Sequence, residues 1–459
     1  MNAISRLVVS LLLCALNISS VEAGVPLWTT PNGFAVGFNE PWIGDYRCDY
    51  YSAWLSKNYA FDMNQGVPDA TATPTACNTA FVNKQVTLSL RSTTTGATLP
   101  TQLVKLSRDN NLPNNYLWGI RKANGSVVKF LLFSNLQGSL VSSPLTSASS
   151  PVPNPRHLAS DFIANLDALL TQAHQMGLKV YVTVLNGGDM KSWANNSALP
   201  QMQRYFQNLI RDPVTKANFK LVLDDLLTVL NNHRGDVYAM DFVNEIEAPL
   251  NVGSIYFPDG WIGARAWIAE MVGYIKQKSN YLGFIFPITA AAGYNYAAQE
   301  ITLGLFSGIG LDFFDLHEYT DSGQYPGQTA LCNKVRNDQQ QIILGEFGQK
   351  SKTYSDVIQN NATTAFLYGA ARSCFSGALA WKFEGTSYSN PQLGYRTQAS
   401  GPPPPPPVQE APSTGSYPYR PAYCAIRMCG SADVANFHGA YCGANPEAGN
   451  CRVSSPWGP

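Results

Sequence analysis

The sequence predicts an α/β fold, a parallel (β/α)8 barrel of the TIM type, with a long insertion after the first strand and a small disulfide-rich C-terminal tail. Three observations carry this. Eight short apolar runs follow one another along the chain, with amphipathic helical stretches filling the gaps between them. About 370 residues separate an apolar leader from a proline run, ample for one barrel with insertions. Two of the apolar runs end abruptly in a glutamate, Glu245 and Glu346. A strand buried on both faces should end before it exposes a carboxylate, and barrel enzymes place their reacting groups at such ends.

Residues 1–23 are expected to be a secretory signal peptide. Arg6 supplies the basic start, Leu7 to Leu16 an apolar stretch too short to span a membrane, and Val21-Glu-Ala23 a small-residue cleavage site. Cys14 lies within it. The barrel is expected over residues 24–400. Its strands read, in order, as Phe34–Phe38, Val127–Phe133, Lys179–Leu185, Tyr238–Glu245, Tyr281–Phe286, Asp312–Leu316, the run Gln341-Ile-Ile-Leu-Gly-Glu346, and Gly377–Trp381. Between the second and third strands, Ser160 can cap a helix with Phe162, Ile163, Leu166, Leu169 and Leu170 on one face, and Asn218–Asn231 and Trp261–Lys278 repeat the pattern. The stretch between the first two strands, with Cys48, Cys77 and the alternating Val86–Leu90, reads as a loop or small β insertion over the barrel mouth.

Gly401 is followed by six prolines, Pro402 to Pro407, which must form an extended polyproline rod. Residues 401–420 are therefore a linker, with few contacts expected across it. Residues 421–459 carry Cys424, Cys429, Cys442 and Cys451, expected to pair among themselves. Such a tail is either a carbohydrate- or surface-binding appendage or a stapled end. Excluding Cys14, the nine cysteines leave eight, an even number suited to an oxidising compartment. Cys332 with Cys374, and Cys48 with Cys77, are the pairings expected in the rest.

With 31 basic and 31 acidic residues, the charge suggests neither nucleic acid nor an anionic membrane as partner. Only 14% of residues are charged and 12% are aromatic, which suits a neutral, ring-shaped ligand held by stacking and hydrogen bonds. There is no nucleophile elbow, no zinc-binding His-Glu-x-x-His and no phosphate-cradling glycine loop, and no metal or cofactor is expected. The chemistry gathers instead at four strand ends. Asn244-Glu245 ends the fourth. On the sixth, Asp315, His317 and Tyr319 share a face by alternation, while Glu318 points away. Glu346 ends the seventh between two glycines, and Trp381 ends the eighth. Paired carboxylates about a hundred residues apart, close to three strand–helix units, are what glycoside hydrolysis requires at one barrel mouth.

Over roughly Gly33 to Gln398, these motifs resemble the retaining glycoside hydrolases of the (β/α)8 clan, and most of all glycoside hydrolase family 5, the cellulases and β-mannanases. The resemblance rests on Asn244-Glu245, His317-Glu-Tyr319, Gly345-Glu346-Phe347-Gly348, Trp381 and the third unit Leu178–Val184. It implies Glu245 as acid/base, expected to begin protonated, and Glu346 as nucleophile. It also implies Tyr319 as hydrogen-bond donor to Glu346, His317 as support for Glu245, Asn244 as binder of a sugar 2-hydroxyl and Trp381 as sugar platform. A secreted or periplasmic monomer acting on a neutral polysaccharide follows, with no nucleic-acid or membrane partner. The alternatives are a catalytically silent barrel that binds carbohydrate, and a transglycosidase using the same residues. The chain departs from the family pattern in three places: Ile246 follows the Asn-Glu pair in place of proline, Lys129 stands on the second strand in place of arginine, and Asn186-Gly187-Gly188 lacks a histidine after the third. Asn39-Glu40-Pro41 spells the full family motif but follows the first strand, the wrong place for an acid/base, with Trp42 beside it as a candidate subsite wall.

Overall fold

The computed structural model describes residues 24–30, 33–39, 117, 120–121, 123–133, 151–158, 160–194, 200–293, 296–324, 327–350, 356–381, 422–429, 441–442 and 451–452. The leader, the insertion with Cys48 and Cys77, Glu40 to Trp42, and the proline linker lie outside the described residues.

Eight strands, β1 (Ala35–Asn39), β2 (Val127–Leu131), β3 (Lys179–Asn186), β4 (Val237–Asn244), β5 (Ile288–Thr289), β6 (Phe313–Tyr319), β7 (Gln341–Gly348) and β8 (Phe375–Trp381), form one parallel sheet. They run in the order β5-β4-β3-β2-β1-β8-β7-β6. The two ends of that order meet at a single bridge between Ala292 and Leu316. There the Ala292 N–H donates to the Asp315 carbonyl at 2.9 Å and the His317 N–H to the Ala292 carbonyl at 2.8 Å, bringing the ring to near closure. The sheet is thus the (β/α)8 barrel expected from the alternation of strands and helices.

The helices form where the apolar spacing puts them. In α1 (Ser160–Gln175), Phe162, Leu166, Leu169 and Leu170 are buried against the sheet. After the short α2 (Gly187–Ala194) and α3 (Pro200–Arg211), α4 (Pro213–Asn232) opens with Asp212 as its cap. Its carboxylate accepts from the Thr215 N–H at 2.7 Å, and Pro213 costs the first turn no hydrogen bond. Beyond β4 come α5 (Glu247–Leu250), α6 (Trp261–Tyr281), α7 (Ala297–Thr302), α8 (Gln328–Asn337), α9 (Asp356–Ala371) and α10 (Ala422–Cys429). Inside the ring, Tyr181, Tyr238, Phe313, Ile343 and Leu379 pack as a separate apolar floor. The segment entering at residue 24 seals that floor: Leu27 joins it, and its N–H donates to Gln341 Oε1 at 2.6 Å. Polar side chains therefore start only above this floor, toward the strand C-termini.

Three expectations are corrected. The fifth strand is not Tyr281–Phe286. Tyr281 ends α6, Gly283 at φ 68° turns the chain out of it, and Phe284 and Phe286 stack on each other with ring centroids 4.5 Å apart. The strand is the two residues after Pro287, so the apolar run packs a helix end and not a ladder. The segment after the linker is not remote from the barrel. Ala422, Tyr423, Ala425, Ile426 and Cys429 of α10 belong to the main core, packed against α9 and β1, with Tyr423 stacked on Phe38 at 6.4 Å. This helix fills the place between β8 and β1 that an eighth barrel helix needs, and its apolar face is what draws it there. Cys429, expected in a disulfide, carries a free thiol buried in that interface, and burial pushes its pKa up to about 12. Cys332 and Cys374 do form a disulfide, tying α8 to the turn before β8.

Candidate active site

The site residues gather toward the C-terminal ends of the strands: alternation turns Asp315, His317 and Tyr319 of β6 to one face, and a shift of register between β6 and β7 after Leu316 sets Glu346 beside His317. Lys129 of β2 is the centre. Its side chain is fully buried, and Nζ donates to Asn244 Oδ1 at 3.0 Å. Asp315 Oδ2 lies 3.5 Å from it, Glu346 Oε1 3.6 Å and Asp241 Oδ2 3.7 Å. Below, the Tyr181 hydroxyl donates to Asp315 at 2.6 Å and Thr183 to Asp241 at 3.2 Å. Burial disfavours the charged Lys129, yet Asp315, Glu346, Asp241 and Glu245 outweigh it and raise its pKa. The ammonium is therefore a fixed positive charge at the base of the site.

Above it, His317 lies between the two glutamates. Nδ1 is 3.1 Å from Glu245 Oε1 and 3.4 Å from Glu346 Oε2. Burial works against its charged form, but the carboxylates of Glu346 and Asp315 overcome both burial and Lys129 and push its pKa up to about 10. Nε2 lies 3.2 Å from Lys129 Nζ. Four carboxylates around these two nitrogens make the cation pair tolerable, and Asn244 accepts a hydrogen bond from Lys129 while Asp315 and Glu346 stand at ion-pair distance. Tyr319 completes the arrangement, its hydroxyl donating to Glu346 Oε2 at 2.7 Å.

The two glutamates differ. Glu346 is nearly enclosed, its side chain 3% exposed, whereas that of Glu245 is 21% exposed. Burial, anticipated for Glu245, thus falls on Glu346. It raises the Glu346 pKa, with His317, Lys129 and the Tyr319 hydroxyl opposing it and Glu245 adding to it. Glu245 sits one residue past its strand at φ 54°, a left-handed conformation that a side chain adopts at a cost. Its N–H donates to the Ala291 carbonyl at 3.1 Å, which ties the turn to the segment after β5.

Asn244, Glu245, His317, Tyr319 and Glu346 are thus brought into one cluster. Trp381 is half-buried at the end of β8, in register with Asn39 of β1. Glu318 points away, as its place in the alternation requires, and burial lifts its pKa to about 7. Sequence reasoning missed the supports. Asn39 was set aside with its motif, yet its buried amide donates to the Gly345 carbonyl at 2.9 Å and so fixes the residue before Glu346. Asp241 and Tyr181 looked like ordinary strand residues; only a polar side chain inside an apolar run marked them. Gly345 is required because a Cβ there would overlap the Asp315 carboxylate.

Oxygen atoms of Glu245 and Glu346 and a ring nitrogen of His317 lie within 4.8 Å of one another, a spacing that three metal ligands could also have. Lys129 Nζ, 3.6 Å from Glu346 Oε1, already places a positive charge beside this group. Among the described residues, no helix is long and apolar enough to cross a membrane.

No family model and no curated protein matches the sequence. Solved structures do match the fold. A GH5_18 protein from Streptomyces cattleya in complex with GlcNAc aligns with a TM-score of 0.50 at 17% identity, over 71% of this chain and 75% of that one. The exo-β-1,4-mannosidase Op5Man5 from Opitutaceae bacterium strain TAV5 gives 0.50 at 12% identity, over 90% of this chain and 62% of that one. A β-mannanase from the blue mussel Mytilus edulis gives 0.45 at 14% identity, over 78% and 92%. At such identities the shared property is the barrel.

Proposed function

We propose that the protein is a secreted, retaining glycoside hydrolase that cleaves a neutral β-linked polysaccharide internally, β-1,4-mannan or β-1,4-glucan. The observation that carries this is the facing pair Glu245 and Glu346, with oxygens within 4.8 Å and both in contact with His317. Carboxyl groups about 5–5.5 Å apart suit double displacement, whereas an inverting pair stands about 6.5–9.5 Å apart to admit a water.

Glu346 attacks the anomeric carbon as the C–O bond to the leaving sugar breaks, and Glu245 gives its proton to the departing oxygen. The ester so formed is then cleaved by water, whose proton Glu245 takes. Tyr319, His317 and Lys129 stabilise the buried Glu346 anion before attack. Glu245, the more exposed of the two, meets the leaving group and then the water. Asn244 has its oxygen taken by Lys129, so its amide N–H groups remain for a sugar hydroxyl. Trp381 offers an indole face for the ring at the cleavage point. Mannan or glucan is favoured by the family 5 motifs and by a chain with no net charge.

Reducing-end release from mannan, cellulose derivatives, mixed-linkage glucan and xylan should single out the substrate. Release only from a uronan would defeat the neutral-substrate reading. Proton NMR of the first product should show the retained β anomer, and an inverted anomer at early times would sink the mechanism.

A further inference from the structure

A second pair of glutamates lies beside the first and takes no part in the mechanism above. Glu247, in the turn after Glu245, is 4% exposed, and Glu300 comes to it from α7. Their carboxyl groups lie close enough to act on each other's protonation. Burial holds Glu247 well above the ordinary carboxylate range, and Glu300 beside it adds to that. The oxygen of Glu247 that remains, Oε1, accepts from the Gly293 N–H at 3.0 Å.

Gly293 is in turn the wall of the Glu245 side chain. A Cβ on it would lie 2.5 Å from both Cγ and Oε1 of Glu245, so the bare Cα is packed directly against the carboxylate. The segment before it carries the Ala291 carbonyl that accepts from the Glu245 N–H, and the Ala292 bridge that joins the sheet to β6 just before His317. Glu245 is past the end of its strand and in a left-handed turn, so no ladder fixes its carboxylate. His317 and the wall at Gly293 do, and Glu247 holds the Gly293 end of the segment 291–293.

We propose that Glu247 is a positioning residue that sets the place of the Glu245 carboxylate through the Gly293 amide. The proposal rests on reading Glu245 as the acid/base. Glu247→Ala removes the acceptor of the Gly293 N–H. A misplaced acid costs most where the leaving group needs its proton. On oligosaccharides kcat should fall by about 10- to 100-fold, with KM little changed. On dinitrophenyl glycosides, whose leaving group needs no proton, it should hardly change. Glu247→Gln keeps an acceptor for Gly293, and should restore most of the loss. Equal losses on both substrates, or a glutamine variant as poor as the alanine one, would overturn the proposal. Should Glu247→Ala fail to fold, Glu300→Ala, at a half-buried position, should show a weaker split of the same kind, and no split would count against it. The link also has a readout independent of activity. The Gly293 amide resonance in 1H–15N spectra should move upfield in the alanine variant and keep its place in the glutamine one. An amide indifferent to Glu247 refutes the link even if the native protein cleaves no glycan, a result that would by itself defeat only the hydrolase reading.

Discussion

The two glutamates are held by different means. Glu346 lies within β7 at a shift of register, paired with His317 of β6, with a donated hydrogen bond from Tyr319 and two cations, His317 and Lys129, within 3.6 Å. Glu245 lies beyond its strand in a strained turn, touched by His317 and by the bare face of Gly293. The difference suits their tasks. A nucleophile must stay ionised while enclosed, which needs several fixed donors. A group that gives and then takes a proton needs access to the leaving oxygen and to water, and fewer fixed partners.

Removing each in turn should separate the roles. Glu346→Ala is expected to cost the most, about 10⁵-fold or more in kcat on every substrate, with azide giving an α-glycosyl azide. A variant that keeps more than a tenth of native turnover would show that β7 does not supply the nucleophile. Glu245→Ala should lose about 10²–10⁴-fold on oligosaccharides but little on dinitrophenyl glycosides, with azide giving the β product. A uniform loss across leaving groups would erase the contrast between the two sides. Tyr319→Phe removes one hydrogen bond to a charged group and should lower kcat by about 10- to 100-fold, seen as slowed glycosylation in burst kinetics. The smallest effect concerns pH and stability. The folded pKa of His317, about 10, lies above the unfolded value near 6.5, so its contribution is fully present below about pH 6.5 and is lost as pH rises through 10. Asp241, pushed up to about 7 chiefly by burial, acts with the same sign at lower pH. Thermal melts should therefore fall by a few °C between pH 7 and 10, less steeply in His317→Gln. Equal slopes would mean that His317 is neutral in the folded state.

The barrel was legible because a strand buried on both faces must be apolar along its length and a helix covering it must be apolar at helical spacing. Phe162, Leu166 and Leu170 obey that pattern and are buried. The rule failed at Tyr281 to Phe286, where a helix end and its connection are as apolar as a strand, and a two-residue β5 has no periodicity to read. It also failed at α10. A run of prolines signals separation along the chain, but the apolar face of Ala422, Tyr423 and Ile426 brings the segment back to Phe38.

What the sequence determined by itself was which strand ends carry chemistry, since a carboxylate, a histidine or a tyrosine stands out where an apolar run stops. The tertiary structure alone decided how those groups are charged and held. Lys129 and Asn244 are 115 residues apart, Asn39 and Gly345 306, and Glu247 and Gly293 46, and no local pattern announces such pairs. Closing the ring brings them within hydrogen-bond reach and excludes water. The carboxylates so gathered raise the His317 pKa against the opposing effect of burial, burial falls most on Glu346, and Glu245 packs on a glycine from the next strand–helix unit.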